Sequence, residues 1–195
     1  GNIIYTDKHS LKTTDGVTTA IIAGHPTQRG YKDANGENSR FKLITGFTGI
    51  TTKILIVVDH NNHCLRRIHR DTGLTTTFSG VCTSSGYQDG TQAKFYNPIS
   101  VIRDNHNRSQ LFVTDEKNHA VRTVAVSDGF VGTIIKSDTV SNPYSLTQNT
   151  AGDIFVTTLY GAVYRISYTE KLINLIAGSL STQGYRDGAL LNFFL

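Results

Sequence analysis

The tetrapeptide Gly-Tyr-x-Asp occurs three times in this 195-residue chain, as Gly30-Tyr31-Lys32-Asp33, Gly86-Tyr87-Gln88-Asp89 and Gly184-Tyr185-Arg186-Asp187. Each copy starts six residues after a glycine, Gly24, Gly80 or Gly178, that closes an apolar run. The first two copies lie 56 residues apart and the last two 98, which is two shorter units with the middle copy of the motif lost. A period of roughly 43 to 56 residues belongs to repeat architectures in which each unit is one propeller blade of four strands. The chain is therefore expected to be a repeat array, not a fold with one central core.

Four short apolar runs line up column by column: Ile3-Ile4-Tyr5-Thr6-Asp7, Leu55-Ile56-Val57-Val58-Asp59, Leu111-Phe112-Val113-Thr114-Asp115 and Ile154-Phe155-Val156-Thr157-Thr158. They are rich in β-branched and aromatic residues and too short for helices, so they read as strands covered on both faces. Second strands follow at Ser10-Leu11-Lys12, at residues 64–68, at residues 120–124 and at residues 162–166. Tight turns such as Asp71-Thr72-Gly73 and Ser127-Asp128-Gly129 lead into third strands at residues 18–23, 75–79, 132–136 and 173–177, the pattern of antiparallel hairpins. The strand that opens each unit falls at residues 44–51, 99–103 and 144–148, with Pro98 and Pro143 entering where no backbone donor is needed.

The predicted fold is all-β: a propeller of four-stranded antiparallel blades, of which about three and three-quarters are present, so that the ring is incomplete. Residues 1–24 form a partial blade of three strands. Residues 25–80 and 81–136 form blades, the latter without a following Gly-Tyr-x-Asp loop. Residues 137–178 form another blade, and residues 179–195 begin the next inter-blade loop. On this reading the chain is a piece of a larger propeller. Eighteen glycines, 17% charged residues and no Met or Trp leave little material for amphipathic helices. No apolar run approaches the ~20 residues that a membrane-spanning helix needs.

The order Asp59-His60-Asn61-Asn62-His63-Cys64-Leu65-Arg66-Arg67-Ile68, followed by Thr75 to Gly80, Gly86-Tyr87-Gln88-Asp89-Gly90, Phe95 and Pro98, resembles the NHL repeat, named for an Asn-His-Leu-like triplet. Asp115-Glu116-Lys117-Asn118-His119-Ala120-Val121-Arg122 repeats the triplet region. The resemblance covers nearly the whole chain, with departures. The third unit lacks the Gly-Tyr-x-Asp loop between Lys136 and Pro143, the fourth has Tyr160-Gly161 in place of Asn-His and Thr158 in place of the Asp, and the first keeps only His9. The resemblance implies a propeller of about six blades.

Because each strand reverses direction, the connection between the second and third strands and the connection to the next blade lie at the same end of the sheet. The Asp-x-x-Asn-His turns and the Gly-Tyr-x-Asp loops thus share one face. The candidate binding residues on it are Tyr31, His60, Tyr87, Lys117, Tyr160, Tyr185 and Arg186, aromatic and basic groups of the kind that recognition surfaces use. The missing third loop is expected to leave a notch there. Structural roles compete at every position. The motif glycines suit positive φ and the aspartates suit capping of nearby amides. Asn62, His63, Asn118 and His119 suit a turn, and each tyrosine suits packing as well as contact.

His60, His63, Cys64 and His69 superficially suggest a metal site, but His63 and Cys64 are adjacent in a strand and point to opposite faces, so no metal is expected. No Ser-His-Asp order, paired carboxylates or phosphate-cradling loop appears, and neither a catalytic residue nor a cofactor is expected. Lyases exist among propellers of the resembling kind, yet none of their residues map onto this chain. The net charge of +4 raises RNA binding, which some propellers of that family perform. The 19 Lys and Arg are scattered among 15 acids without a basic–aromatic run, so nucleic acid is a secondary reading.

Cys64 and Cys82 come into range if the loop after the third strand folds back. They are expected to form a disulfide, with two separate buried thiols as the alternative reading, and a crosslink points to an oxidising compartment. Asn107-Arg108-Ser109 is an N-glycosylation sequon in a turn on the opposite face. These features together predict a non-enzymatic scaffold, extracellular or in the secretory lumen, that binds another protein or further copies of a larger assembly. The alternatives are an RNA-binding cytoplasmic propeller and a propeller lyase or hydrolase.

Overall fold

The computed structural model describes residues 2–167, 170 and 172–179. The first sheet has three strands, β1 (Ile3–Asp7), β2 (Ser10–Thr14) and β3 (Thr19–Gly24), in that spatial order. Three four-stranded sheets follow. The second holds β4 (Ile44–Gly49), β5 (Ile54–Asp59), β6 (Cys64–His69) and β7 (Thr75–Ser79), and the third β8 (Pro98–Arg103), β9 (Gln110–Asp115), β10 (Ala120–Ala125) and β11 (Val131–Lys136). The fourth holds β12 (Pro143–Gln148), β13 (Ile154–Thr158), β14 (Val163–Ile166) and β15 (Ile173–Ala177). Every neighbouring pair is antiparallel and sequential in the chain.

β4 packs against β8 and β8 against β12, so the opening strands line a common axis and the sheets succeed one another around it as an open ring. These approaches are close. A Cβ on Gly46 in β4 would stand 3.1 Å from the Ile99 carbonyl oxygen of β8. The expected architecture, an all-β propeller with a leading three-stranded blade, is what the chain adopts.

Strand alternation explains why the apolar runs are continuous. Leu55 and Val57 of β5 point into a core shared with the first blade, whereas Ile56 and Val58 point into one shared with the third. β9 does the same, with Leu111 and Val113 on one side and Phe112 on the other. The hydrophobic cores therefore lie between blades, and each fully buried side chain of this type contributes about 1.5–3 kcal/mol to holding neighbours together.

Gly24, Gly80 and Gly178 end the last strands with φ of 88°, 90° and 78°. That conformation is strained for any other residue. A Cβ would also overlap the His9 carbonyl at Gly24 and stand 2.8 Å from the Phe95 ring at Gly80. No helix among the described residues is long and apolar enough to cross a membrane.

Candidate functional site

Residues at the loop end of the second and third blades are organised by a buried arginine. Asp59, at the end of β5, is fully buried, and its carboxylate accepts from Asn62 Nδ2 (2.8 Å), Arg66 Nη1 (3.0 Å) and the Lys42 amide (2.9 Å). Arg66 lies two residues into β6 and is itself fully buried, an arrangement tolerable because its two Nη nitrogens meet carboxylates and carbonyls, while its Nε is buried without a hydrogen-bond partner. Its Nη2 donates to the Lys32 carbonyl (3.1 Å) and pairs with Asp33, and its plane lies 4.9 Å from the ring centroids of both Tyr31 and Phe41. Asn62 Nδ2 also donates to the Gly30 carbonyl (2.8 Å). The Gly-Tyr-x-Asp loop that enters a blade is thus gripped by that blade's own Asp, Asn and Arg.

The third blade repeats the arrangement. Arg122 joins Asp115 (2.6 Å), Asp89 (2.6 Å) and the Gln88 carbonyl (2.9 Å), between the rings of Tyr87 (4.7 Å) and Phe95 (5.3 Å). Asn118 Nδ2 donates to Asp115 (2.8 Å) and the Gly86 carbonyl (2.7 Å). Burial pushes the Asp59 and Asp115 carboxyls up, opposed by hydrogen bonds from Asn62 or Asn118 and by the arginine. The fourth blade has Thr158 and Tyr164 in place of the Asp and Arg. Tyr164 is buried, and burial raises its phenol. The loop that enters this blade is only residues 137–142, with Val140 tucked into the core.

The histidines of the triplets act between blades. His63 and His119 occupy left-handed positions (φ 59° and 51°), and the Nδ1 of each accepts an amide from the next blade, Asn97 N at 3.2 Å and Asn142 N at 3.0 Å. Burial, with the charges of His60 and Lys42, holds the His63 ring below its usual 6.5. His60 bridges the same junction, its Nδ1 2.9 Å from the Pro98 carbonyl oxygen and its Nε2 3.2 Å from Asn97 Nδ2.

The described candidates Tyr31, His60, Tyr87, Lys117 and Tyr160 lie in the connections at the loop end of the blades, where their side chains are engaged to different degrees. Tyr31 and Tyr87 are half exposed, yet their hydroxyls bond Thr77 (2.8 Å) and Thr133 (3.0 Å), and Lys136 Nζ sits 3.9 Å from the Tyr87 ring. Lys117 Nζ pairs with the buried Glu116 (2.8 Å) and donates to Asn142 Oδ1 (3.4 Å), whereas Tyr160 and Tyr96 are exposed. Tyr185 and Arg186 lie outside the described residues. Residues 137–142 form a short connection in place of the long loop, and Tyr96, Tyr144, Leu159 and Tyr160 are 43–48% exposed.

Sequence reasoning passed over Arg66 and Arg122 as ordinary strand cations. The signal was present: a charged residue in the same column of two apolar strands, seven residues after an aspartate, and lost where the loop is lost. The motif glycines correct another expectation. Gly30 has φ of 157°, but Gly86 is not in the positive region, and a Cβ there would meet only the flexible Lys94 side chain, 3.0 Å from its Cδ.

Cys64 and Cys82 are disulfide-bonded, with Cα atoms 5.0 Å apart, which ties β6 to the loop entering the third blade and removes Cys64 as a ligand. Among the described residues no three His, Cys, Asp or Glu side chains converge as a metal site.

No protein-family model and no curated protein sequence matches the chain. Solved structures do. The propeller in a nidogen/laminin complex is similar over 91% of this chain and 66% of its own length, at a TM-score of 0.66 and 9% identity. The extracellular domain of a hybrid two-component system from B. thetaiotaomicron is similar over 90% of this chain and 23% of its own length (TM-score 0.62, 10% identity). A streptogramin B lyase is similar over 90% and 64%, with a TM-score of 0.54 and 11% identity. The chain thus spans less than two thirds of these proteins, and likeness at such identities bears on architecture alone: this is a β-propeller chain.

Proposed function

We propose that the chain is a non-enzymatic protein-interaction or assembly scaffold of the NHL-propeller type, working outside the cell or in the secretory lumen and presenting its loop face to a partner. The observation that carries the reading is a division of labour on that face. Arg66, Arg122 and the triplet residues are consumed in holding loops and blades, while Tyr96, Tyr144, Leu159 and Tyr160 stay exposed. Exposed tyrosines on a rigid base suit protein recognition, because they contribute large contact area at low entropic cost.

The Cys64–Cys82 disulfide supports an oxidising compartment. Asn107 supports it too. It is exposed in the turn between β8 and β9 on the opposite face, with its Oδ1 accepting the Ser109 amide (3.2 Å), and a glycan there leaves the loop face open. A solved relative of the same architecture is held in a complex between two proteins, nidogen and laminin.

The test is affinity capture from extracellular fractions with the wild-type chain, a Tyr96→Ala/Tyr160→Ala variant and an opposite-face Arg108→Ala variant, each first shown to be folded. Loss of a specific partner in the loop-face variant alone is the expected result. Equal capture by all three, or loss only with Arg108→Ala, would overturn the assignment.

A further inference from the structure

The loops that the second and third blades receive also cover the outer edges of those blades. In the second, Ala34 lies antiparallel to Thr75; the Thr75 amide donates to the Ala34 carbonyl (2.9 Å) and the Thr77 amide to Asp33 Oδ2 (2.9 Å). In the third, Gly90 and Val131 exchange both main-chain bonds (2.8 and 3.1 Å). Thr75 and Val131 are both fully buried.

β15 is the corresponding outermost strand of the fourth blade, and it keeps the same register. Tyr164 stands opposite Leu175 as Arg66 stands opposite Thr77, and the Ser167 amide closes the hairpin on the Leu172 carbonyl (2.9 Å) as the His69 amide does on Leu74 (2.8 Å). Alternation therefore turns the amides of Ile173 and Leu175 outward, like those of Thr75 and Thr77. Among the described residues nothing pairs with that outer side. The short connection at residues 137–142 makes its main-chain bonds with His119 and Leu159 instead. Ile173 and Leu175 are left partly exposed, although both pack against the core between the third and fourth blades. The strand is five residues long, Ile-Asn-Leu-Ile-Ala, with neither the charge nor the proline that commonly protects an exposed edge. The first blade offers no comparison, since no connection entering it is among the described residues.

We propose that β15 takes an extended apolar segment of a partner polypeptide as a fifth strand of the fourth blade, bonded to the main chain of Ile173 and Leu175. This goes beyond the loop-face reading, because it uses none of the exposed tyrosines. The covered blades define the occupant. A single extended stretch lies on β7, and Ser39 Oγ of the same loop accepts the Gly24 amide of β3 (2.8 Å), so the space between neighbouring outer strands is one chain wide. It suits one segment better than the sheet of a second copy. Two replacements set the segment's chemistry. Tyr164 and Leu175 stand where the covered blades have the arginine and threonine that hold Asp33 and Asp89, so no carboxylate is required, and apolar side chains extend the contact with Ile173 and Leu175.

The probe is a fluorescein-labelled Lys-Val-Thr-Val-Thr-Val-Lys peptide, titrated against the full chain by anisotropy. Its comparator is the same sequence N-methylated at every internal residue, which keeps the side chains and removes the donors. Expected is saturable binding of the first, at least about tenfold weaker for the second and for a Leu175→Pro variant, and unchanged in Arg108→Ala on the opposite face. Proline is compatible with an edge position whose amide faces outward, and circular dichroism shows whether that variant folds. Hydrogen exchange reads the edge in the wild-type chain. The Ile173 and Leu175 amides should exchange faster than those of Thr75 and Val131, and slow by about tenfold when the peptide is added.

Equal binding of the methylated peptide, or exchange at Ile173 and Leu175 that the peptide leaves unchanged, would overturn strand addition. Loop-face capture, which depends on the tyrosines, would stand. Slow exchange at both amides in the free chain would overturn it too, in favour of an edge already covered: within the molecule if sedimentation shows a monomer, by a second copy if it shows a dimer.

Discussion

The third and fourth blades share a fold, a strand register and an inter-blade core, yet they receive their incoming connections in opposite ways. In the third, a long loop is pinned through Asp89 to a buried Arg122 that also answers Asp115. In the fourth, loop, aspartate and arginine are absent together, and Thr158 and a buried Tyr164 fill the space. The arginine is therefore not a requirement of the blade. It is a requirement of the loop, whose carbonyls and carboxylate would otherwise lie against an apolar sheet without partners. The buried Asp115 needs it in turn, since a carboxylate without an opposing charge is costly to bury.

Removing the arginine should break this contrast most directly. Arg122→Ala leaves Asp115 buried and uncompensated, and the expected loss is about 3–5 kcal/mol, measured by urea unfolding. Tyr164→Phe in the fourth blade removes one hydroxyl and should cost less than about 1.5 kcal/mol. Similar losses for the two would show that Arg122 is no more structural than its replacement.

The disulfide sharpens the comparison between the two clamped loops, because only the loop of residues 80–97 carries one. Cys64→Ser/Cys82→Ser should cost about 3 kcal/mol for a closed loop of this size. It should speed proteolysis within residues 80–97 while residues 25–43 keep their wild-type rate. Equal acceleration in both loops would mean that the crosslink stabilises the blades and not the loop.

A smaller effect is expected from Asp89→Asn, which keeps shape and removes charge. Its side chain is 46% exposed, so solvent screens the pair, and a loss of about 1 kcal/mol or less is expected in the same unfolding assay.

The smallest concerns pH. His63 is neutral in the fold because burial and neighbouring charge hold it below 6.5, and its Nδ1 accepts the Asn97 amide. As pH falls through 6.5 the unfolded chain takes up the proton first, so this stabilisation is complete above 6.5 and declines below it. Melting temperature should drop between pH 7.5 and 5, and His63→Asn should flatten part of that slope; an unchanged slope would exclude the ring as the titrating acceptor.

The blades were legible because period, alternation and the closing glycines all follow from backbone geometry, which short-range sequence records. The Cys64–Cys82 bond was legible for the same reason, since it spans one hairpin. The clamp was harder to read, because Asp33 and Arg66 lie 33 residues apart and meet only when a loop folds over the following blade. A lone arginine in a strand looks like a solvated edge until its burial is known. The tyrosines show a different limit of motif reading. Tyr31 and Tyr87 stand in the conspicuous motif and stack on the buried arginines, whereas Tyr96 and Tyr144 sit in no motif and are just as exposed.

The clamp also decides where the chain can be divided. Each clamped loop gives its aspartate to the arginine of the blade that follows it, so a module that keeps the clamp whole starts just after Gly24 or Gly80 and runs to the end of the next last strand, although the cut after Gly80 also parts Cys82 from its disulfide partner Cys64. A graft or duplication cut there carries lock and key together. A cut at Ile44 or Pro98, where the first strand begins, would send the arginine to one product and its aspartate to the other.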